Sequence, residues 1–184
     1  MSKEKLKELI FNDEEKIIEQ RRELHKHPEL AMEETWTNDY IKKELESYGL
    51  KVRQLEPTGL VADINPDSDG KTVLLRADFD GLPIKETNDF DFKSENEGKS
   101  HACGHDTHIS MLLAAARALI EIKDELPGKV RLLFQPGEET GDGGKAVVRQ
   151  GVTDGVDSGF AIHIHTMLPV GYAATGYGDV MAGN

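Results

Sequence analysis

Apolar positions along this chain fall into two rhythms, one helical and one extended. From about Asp13 to His27, Ile17, Ile18, Arg21 and Leu24 lie at helical spacing until Pro28 stops the run, and a second helix is predicted from about Thr35 to Tyr48, ending at Gly49. Three extended stretches follow, Lys51 to Leu55, Leu60 to Ile64 and Thr72 to Arg76, separated by Pro57-Thr58-Gly59 and by the Pro66 to Gly70 turn. The third is continuously apolar, as a central strand is. The longest helix is predicted from Asp106 to Leu126, with Ile109, Leu112, Leu113, Ala116, Leu119 and Ile120 as its buried stripe. Pro127-Gly128 ends it and leads into a strand from Val130 to Phe134. A short helix near 144–150, a strand near 159–164 and an extended run near 171–175 complete the pattern.

Helices alternating with apolar strands predict an α/β fold: three α/β/α layers with a mixed, mostly parallel central sheet covered on both faces. Ligands of such sheets bind where loops leave the strand ends. Here the polar clusters fall at those exits. Asp78 and Asp80 follow the third strand, Glu138 and Glu139 follow the Phe134 strand, and His163 and His165 lie near the end of the next.

Composition narrows the chemistry. The 184 residues suffice for one domain with a sizeable core, so folding does not depend on a disulfide or a metal. With 22 Lys and Arg against 34 Asp and Glu, a formal net charge of -12 and no basic cluster, nucleic acid is excluded as an expected partner. The N-terminal segment lacks the apolar core of a signal peptide and no apolar run is long enough to span a bilayer, so the expected setting is the cytoplasm, without membrane partners. A reducing compartment suits the single cysteine, Cys103, which has no internal disulfide partner.

Cys103 lies in His101-Ala-Cys-Gly-His-Asp-Thr-His108, one glycine from His105. Thiolate and imidazole are the donors that a borderline-soft divalent ion such as zinc prefers. By itself Cys-x-His is a weak signal. Glu138 and Glu139 add two carboxylates in a turn directly after a buried strand, a costly place for charges unless cations or strong donors neutralise them. If neighbouring side chains diverge there, one Glu can bind a metal while the other faces a water, the division of labour of metal-assisted hydrolysis. Asp80 is placed to hold a ligand imidazole, and equally to form a turn before Gly81. His163 and His165 share a face if their strand continues, and spacing does not choose between them.

Five ordered motifs carry a resemblance that extends along the whole chain. They are Arg22-Glu-Leu-His-Lys-His-Pro-Glu-Leu30, Leu75-Arg-Ala-Asp-Phe-Asp-Gly-Leu-Pro83, the His101 to His108 loop, Phe134-Gln-Pro-Gly-Glu-Glu139 and the His163 strand. Together they resemble the N-terminal part of the M20 metallopeptidase and amidohydrolase family. The closest branch is the one holding aminoacylases, hippurate hydrolases, indole-acetyl-amino-acid hydrolases and N-acetyl-diaminopimelate deacetylases.

The resemblance implies a zinc-peptidase-like catalytic domain with two divalent ions, zinc or manganese first and cobalt or nickel as alternatives, bound by Cys103, His105, Glu139 and His163. It implies Glu138 as the general base and Asp80 as a group orienting the site. Asp78 stands where other branches place a metal-binding His, and no role is carried over to it, to His108 or to His165.

It further implies that residues 1–184 are the N-terminal portion of the catalytic domain, the lid and dimerisation domain and the returning segment with a fifth ligand being absent. Two functions are then expected: hydrolysis of the amide of an N-acyl amino acid or similar small conjugate, or an incomplete metal-binding domain without turnover. An open sheet edge leaves pairing with a second copy available, although the family's usual lid interface is missing.

Overall fold

Glutamates in the first turn of one N-terminal segment and His25 and Lys26 in its last turn complement a helix dipole, and a helix forms there. In the computed structural model, which describes residues 3–176, this is α2 (Glu14–Lys26). It is preceded by α1 (Lys3–Asn12) and followed by α3 (Thr35–Ser47). The α1 helix departs from expectation: half of its residues are charged, and only Leu6 and Leu9 are partly covered as it packs on a later helix, α4. Gly49, with φ +80°, closes α3 in the left-handed conformation that favours glycine. The N–H of Leu50 then reaches the Leu45 carbonyl at 3.2 Å, satisfying a terminal acceptor.

The strands β1 (Val52–Gln54), β2 (Leu60–Ile64), β3 (Thr72–Asp78), β4 (Lys129–Gln135) and β5 (Ser158–Ala161) form one sheet in the order β1-β2-β4-β3-β5. β2 is antiparallel to both its neighbours and the remaining pairs are parallel, so the other four strands all run one way. Parallel neighbours need crossovers. α4 (His105–Glu121) lies on the path from β3 to β4, and α5 (Asp142–Arg149) on the path from β4 to β5.

Side chains alternate across the sheet as its pleat requires. Leu60, Ala62, Leu132 and Phe134 pack with Leu24, Ile41 and Leu113 of the helices on one face. Val61, Leu74 and Leu133 pack with Val147 of α5 and Val152 on the other. The expected cover is therefore uneven: every residue of β5 is exposed, and Phe160 retains 60% of its surface.

Several element ends differ from the sequence reading. β3 runs on to Asp78, held in register by Gln135 of β4. α4 stops at Glu121, and Lys123–Glu125 tighten into a 3-10 turn, a common way for a helix to end. β5 ends at Ala161, so His163 and His165 are not strand residues. Residues 171–175, where an extended run was expected, join no strand, and 171 lies in a turn. Among the described residues, no helix is long and apolar enough to cross a membrane.

Candidate metal centre

The site begins at the start of α4. Gly104, φ +83°, lies between Cys103 and His105 and directs the chain into the helix. A Cβ there would lie 2.2 Å from Ile164 Cδ1, so conformation and space both call for glycine. Ile164 can swing aside, which leaves backbone strain as the main cost. Gly104→Ala is expected to lower stability by about 1–2 kcal/mol in urea denaturation; an unchanged midpoint would show that the turn tolerates a side chain.

His105 is fully buried. Its Nδ1 lies 2.9 Å from the Asp80 backbone carbonyl and 3.3 Å from Asp80 Oδ1. A carbonyl only accepts, so Nδ1 carries the proton and donates, leaving Nε2 as the free electron pair. That Nε2 has no hydrogen-bond partner among the described residues. Around it stand Asp78 Oδ2 at 3.6 Å, Glu139 Oε1 at 3.8 Å and Glu138 Oε2 at 4.0 Å. Burial alone would lower the His105 pKa, but the Asp80 bond and the Asp78 charge raise it. The pocket draws positive charge.

The two aspartates thus approach opposite nitrogens of one imidazole. Asp80 lies just past β3 and does more than hold His105, since its Oδ2 accepts the Glu139 N–H at 3.0 Å. Asp78 accepts from Arg76 at 2.8 Å and from His108 at 2.6 Å. Burial would raise its carboxyl, yet these partners and His105 bring it down to about 2.

Glu138 and Glu139 do not diverge as expected of neighbouring side chains. They occupy a turn, and both reach toward His105. The preceding residue, Gly137, has φ +52° and donates its N–H to the buried carboxylate of Glu34 at 2.8 Å. Glu34 also accepts the Thr58 hydroxyl at 2.8 Å, so a residue preceding α3 anchors the acidic turn. Sequence reading missed Glu34; a carboxylate at a helix start has the ordinary signature of an exposed one.

Beyond β5 the chain separates the two histidines that spacing left equivalent. His163 places Nε2 3.4 Å from Cys103 Sγ, while its Nδ1 donates to the Ile164 carbonyl at 2.6 Å. His165 is exposed and turns away, its Nδ1 accepting the Met167 N–H at 3.2 Å. The donor atoms of Cys103, His105 and His163 all lie within 4.8 Å of one another, and so do those of His105, Glu138 and Glu139. Burial and the hydrogen-bonded Glu139 carboxylate push the Cys103 thiol up to about 12.

These residues fit a divalent cation. The buried, unpartnered Nε2 of His105 is a donor without an acceptor for its electron pair, next to a thiol, a second imidazole whose Nε2 contacts that thiol, and two carboxylates.

A second buried polar cluster adjoins the site. His25, from the Arg22 to Leu30 motif, bonds Asp106 Oδ2 at 2.7 Å and Glu86 Oε1 at 3.1 Å, and Arg21 reaches Asp106 at 2.9 Å. His101 packs nearby, its pKa depressed to about 4 by burial and therefore neutral. Burial would lower His25 as well, but the hydrogen bonds to Asp106 and Glu86 hold it above its ordinary value. Asp106 and Glu86 are both lowered, so they stay ionised above pH ~5 and add no slope there.

A raised His stabilises fully below its unfolded pKa of about 6.5, and that contribution is lost as pH rises through the folded value. His25→Gln is therefore expected to cost more stability at pH 6 than at pH 9. Equal losses in urea at the two pH values would contradict this.

The fold is a layered α/β one, and its strand ends carry a cluster of donors suited to a divalent cation. Residues 74–178, more than half of the chain, match the model of peptidase family M20/M25/M40, and the chain belongs to that family. It is 45% identical to thermostable carboxypeptidase 2 of Saccharolobus solfataricus, over 97% of this chain and 47% of that one. It is 40% identical to the N-acyl-L-amino acid amidohydrolase of Geobacillus stearothermophilus, over 99% of this chain and 50% of that one.

Among solved structures, the Bacillus subtilis YXEP protein, a dinuclear metal binding peptidase of the M20 family, superposes with a TM-score of 0.81 at 39% identity. The match covers 85% of this chain and 44% of that one. The chain spans about half the length of the curated relatives it matches.

Proposed function

We propose that this chain is the N-terminal portion of the catalytic domain of a metal-dependent amidohydrolase that cleaves the amide of N-acyl amino acids or similar small conjugates. The observation that carries the reading is His105 Nε2, buried and unpartnered within a shell of thiol, imidazole and carboxylate donors. Cys103, His105, Glu139 and His163 would hold the ions, zinc or manganese, with cobalt or nickel also compatible with the donors. When bound, such ions acidify a water and polarise the scissile carbonyl.

The remaining work belongs to the protein. Glu139 is tied to the ligand group through its own N–H to Asp80, which supports Glu138 as the carboxylate that takes the water's proton and returns it to the leaving amine nitrogen. Asp80 positions rather than reacts: it fixes the His105 tautomer and the Glu139 backbone. The amidohydrolase of Geobacillus stearothermophilus and the N-acetyl-L-cysteine deacetylase of Bacillus subtilis among the relatives support an N-acyl amino acid as substrate class.

Release of free amine from N-acetyl and N-benzoyl amino acids, with zinc, with manganese and with chelator, tests the reading. Any release is expected to depend on added metal and to be lost in chelator. Metal retained without release from any of these substrates would favour a metal-binding domain without turnover.

A further inference from the structure

His108 belongs to a three-residue group, with Asp78 and His105, whose donor atoms lie close enough together to hold an ion. Its hydrogen bonds argue otherwise. The Ile164 N–H, which can only donate, points at His108 Nε2 at 3.0 Å, so that nitrogen's electron pair is taken. The other nitrogen, Nδ1, then carries the ring proton and donates to Asp78 Oδ1 at 2.6 Å. Asp78 is itself fixed by Arg76 at 2.8 Å. Neither nitrogen of His108 is free for a metal.

What this arrangement does follows from where β5 ends. The ladder stops at Ala161, two residues before His163. Among the described residues, two hydrogen bonds join residues 163–168 to the rest of the chain: Cys103 to His163, and His108 to Ile164. The first is a contact within the candidate site itself. The second is the tether. The Ile164 side chain adds a steric stop, since it lies over Gly104, where there is no Cβ to exclude it.

We infer that His108 is a positioning residue: the row Arg76, Asp78, His108 grips the Ile164 backbone and thereby sets His163 opposite Cys103. The inference rests on the metal-centre reading for its functional consequence, though the tether itself exists without metal. It also gives Asp78 a task, orienting His108.

Two variants separate the roles of the ring nitrogens. His108→Asn keeps a donor near Asp78 but is too short to reach Ile164, whereas His108→Gln can place an acceptor where Nε2 stood. In the metal-free protein, amide hydrogen exchange at Ile164 read by NMR is expected to quicken at least about ten-fold in H108N and to recover most of its protection in H108Q. Cobalt(II) affinity, followed by the absorbance of its thiolate complex, is expected to fall about 10–100-fold in H108N and to recover in H108Q.

Wild-type exchange and affinity in H108N would overturn the inference, as would equal losses in both variants with Ile164 still protected. If the wild type bound no cobalt while Ile164 followed the expected pattern, the metal-centre reading would fall and the tether would stand.

Discussion

Replacing His105 by Ala is expected to abolish tight metal binding and to destabilise the metal-free fold in one step. Among the described residues, His105 is the donor shared by each candidate ligand grouping, so its loss removes the centre of the site and not one edge of it. It also lies between two carboxylates, Asp78 and Asp80, that are 0% and 1% exposed. Stripped of that partner, buried charge of this kind costs on the order of 3–5 kcal/mol. His105→Asn distinguishes the two effects, because its amide can still donate to the Asp80 carbonyl but offers nothing at the Nε2 position. Cobalt(II) titration should show affinity lost in both variants, and urea denaturation should show the larger stability loss in Ala. Cobalt affinity within about three-fold of wild type in H105N would remove His105 from the ligand set.

Glu138→Gln should reduce hydrolysis of whichever N-acyl amino acid the wild type cleaves fastest by about 10²–10⁴-fold, with metal affinity nearly unchanged. Gln keeps the shape and hydrogen-bonding reach of the side chain but cannot take a proton. Glu139→Gln should show the opposite balance, weaker metal binding first and lost turnover as its consequence. The two glutamates are almost equidistant from His105 Nε2, at 4.0 and 3.8 Å, so distance does not tell them apart and the paired variants do. Reversed outcomes would exchange the assigned roles.

The legibility of this chain followed the range of the forces involved. Apolar periodicity and Gly and Pro punctuation are local signals, and they located β2, α3 and the body of α4 closely. Element ends depended on partners elsewhere: β3 continues to Asp78 because Gln135 lies beside it, and β5 stops early because its ladder with β3 runs out at Arg76. The candidate donors were legible because Cys, His and Glu at strand exits are chemically conspicuous. Their supports were not. Nothing local marks Glu34 as the acceptor for Gly137, or His25 as the partner of Asp106 across 81 positions. The turn at Glu138 and Glu139 was legible, but that both carboxylates converge on His105 was not, since neighbouring side chains were expected to diverge there.

The crossovers that order the sheet as β1-β2-β4-β3-β5 bear on when in folding an ion could be captured. Asp80, the Cys103 loop, the acidic turn and His163 meet only after β3 has paired with both β4 and β5, and those non-local parallel pairings are slow steps in folding. The core that drives them is apolar and lies beneath the donors, in Leu132, Phe134 and Leu113. Assembly is therefore expected to run to completion without an ion. Capture comes last, onto a finished frame, so refolding should proceed at the same rate in chelator as in cobalt, unlike that of a small zinc domain whose folding and loading are one event.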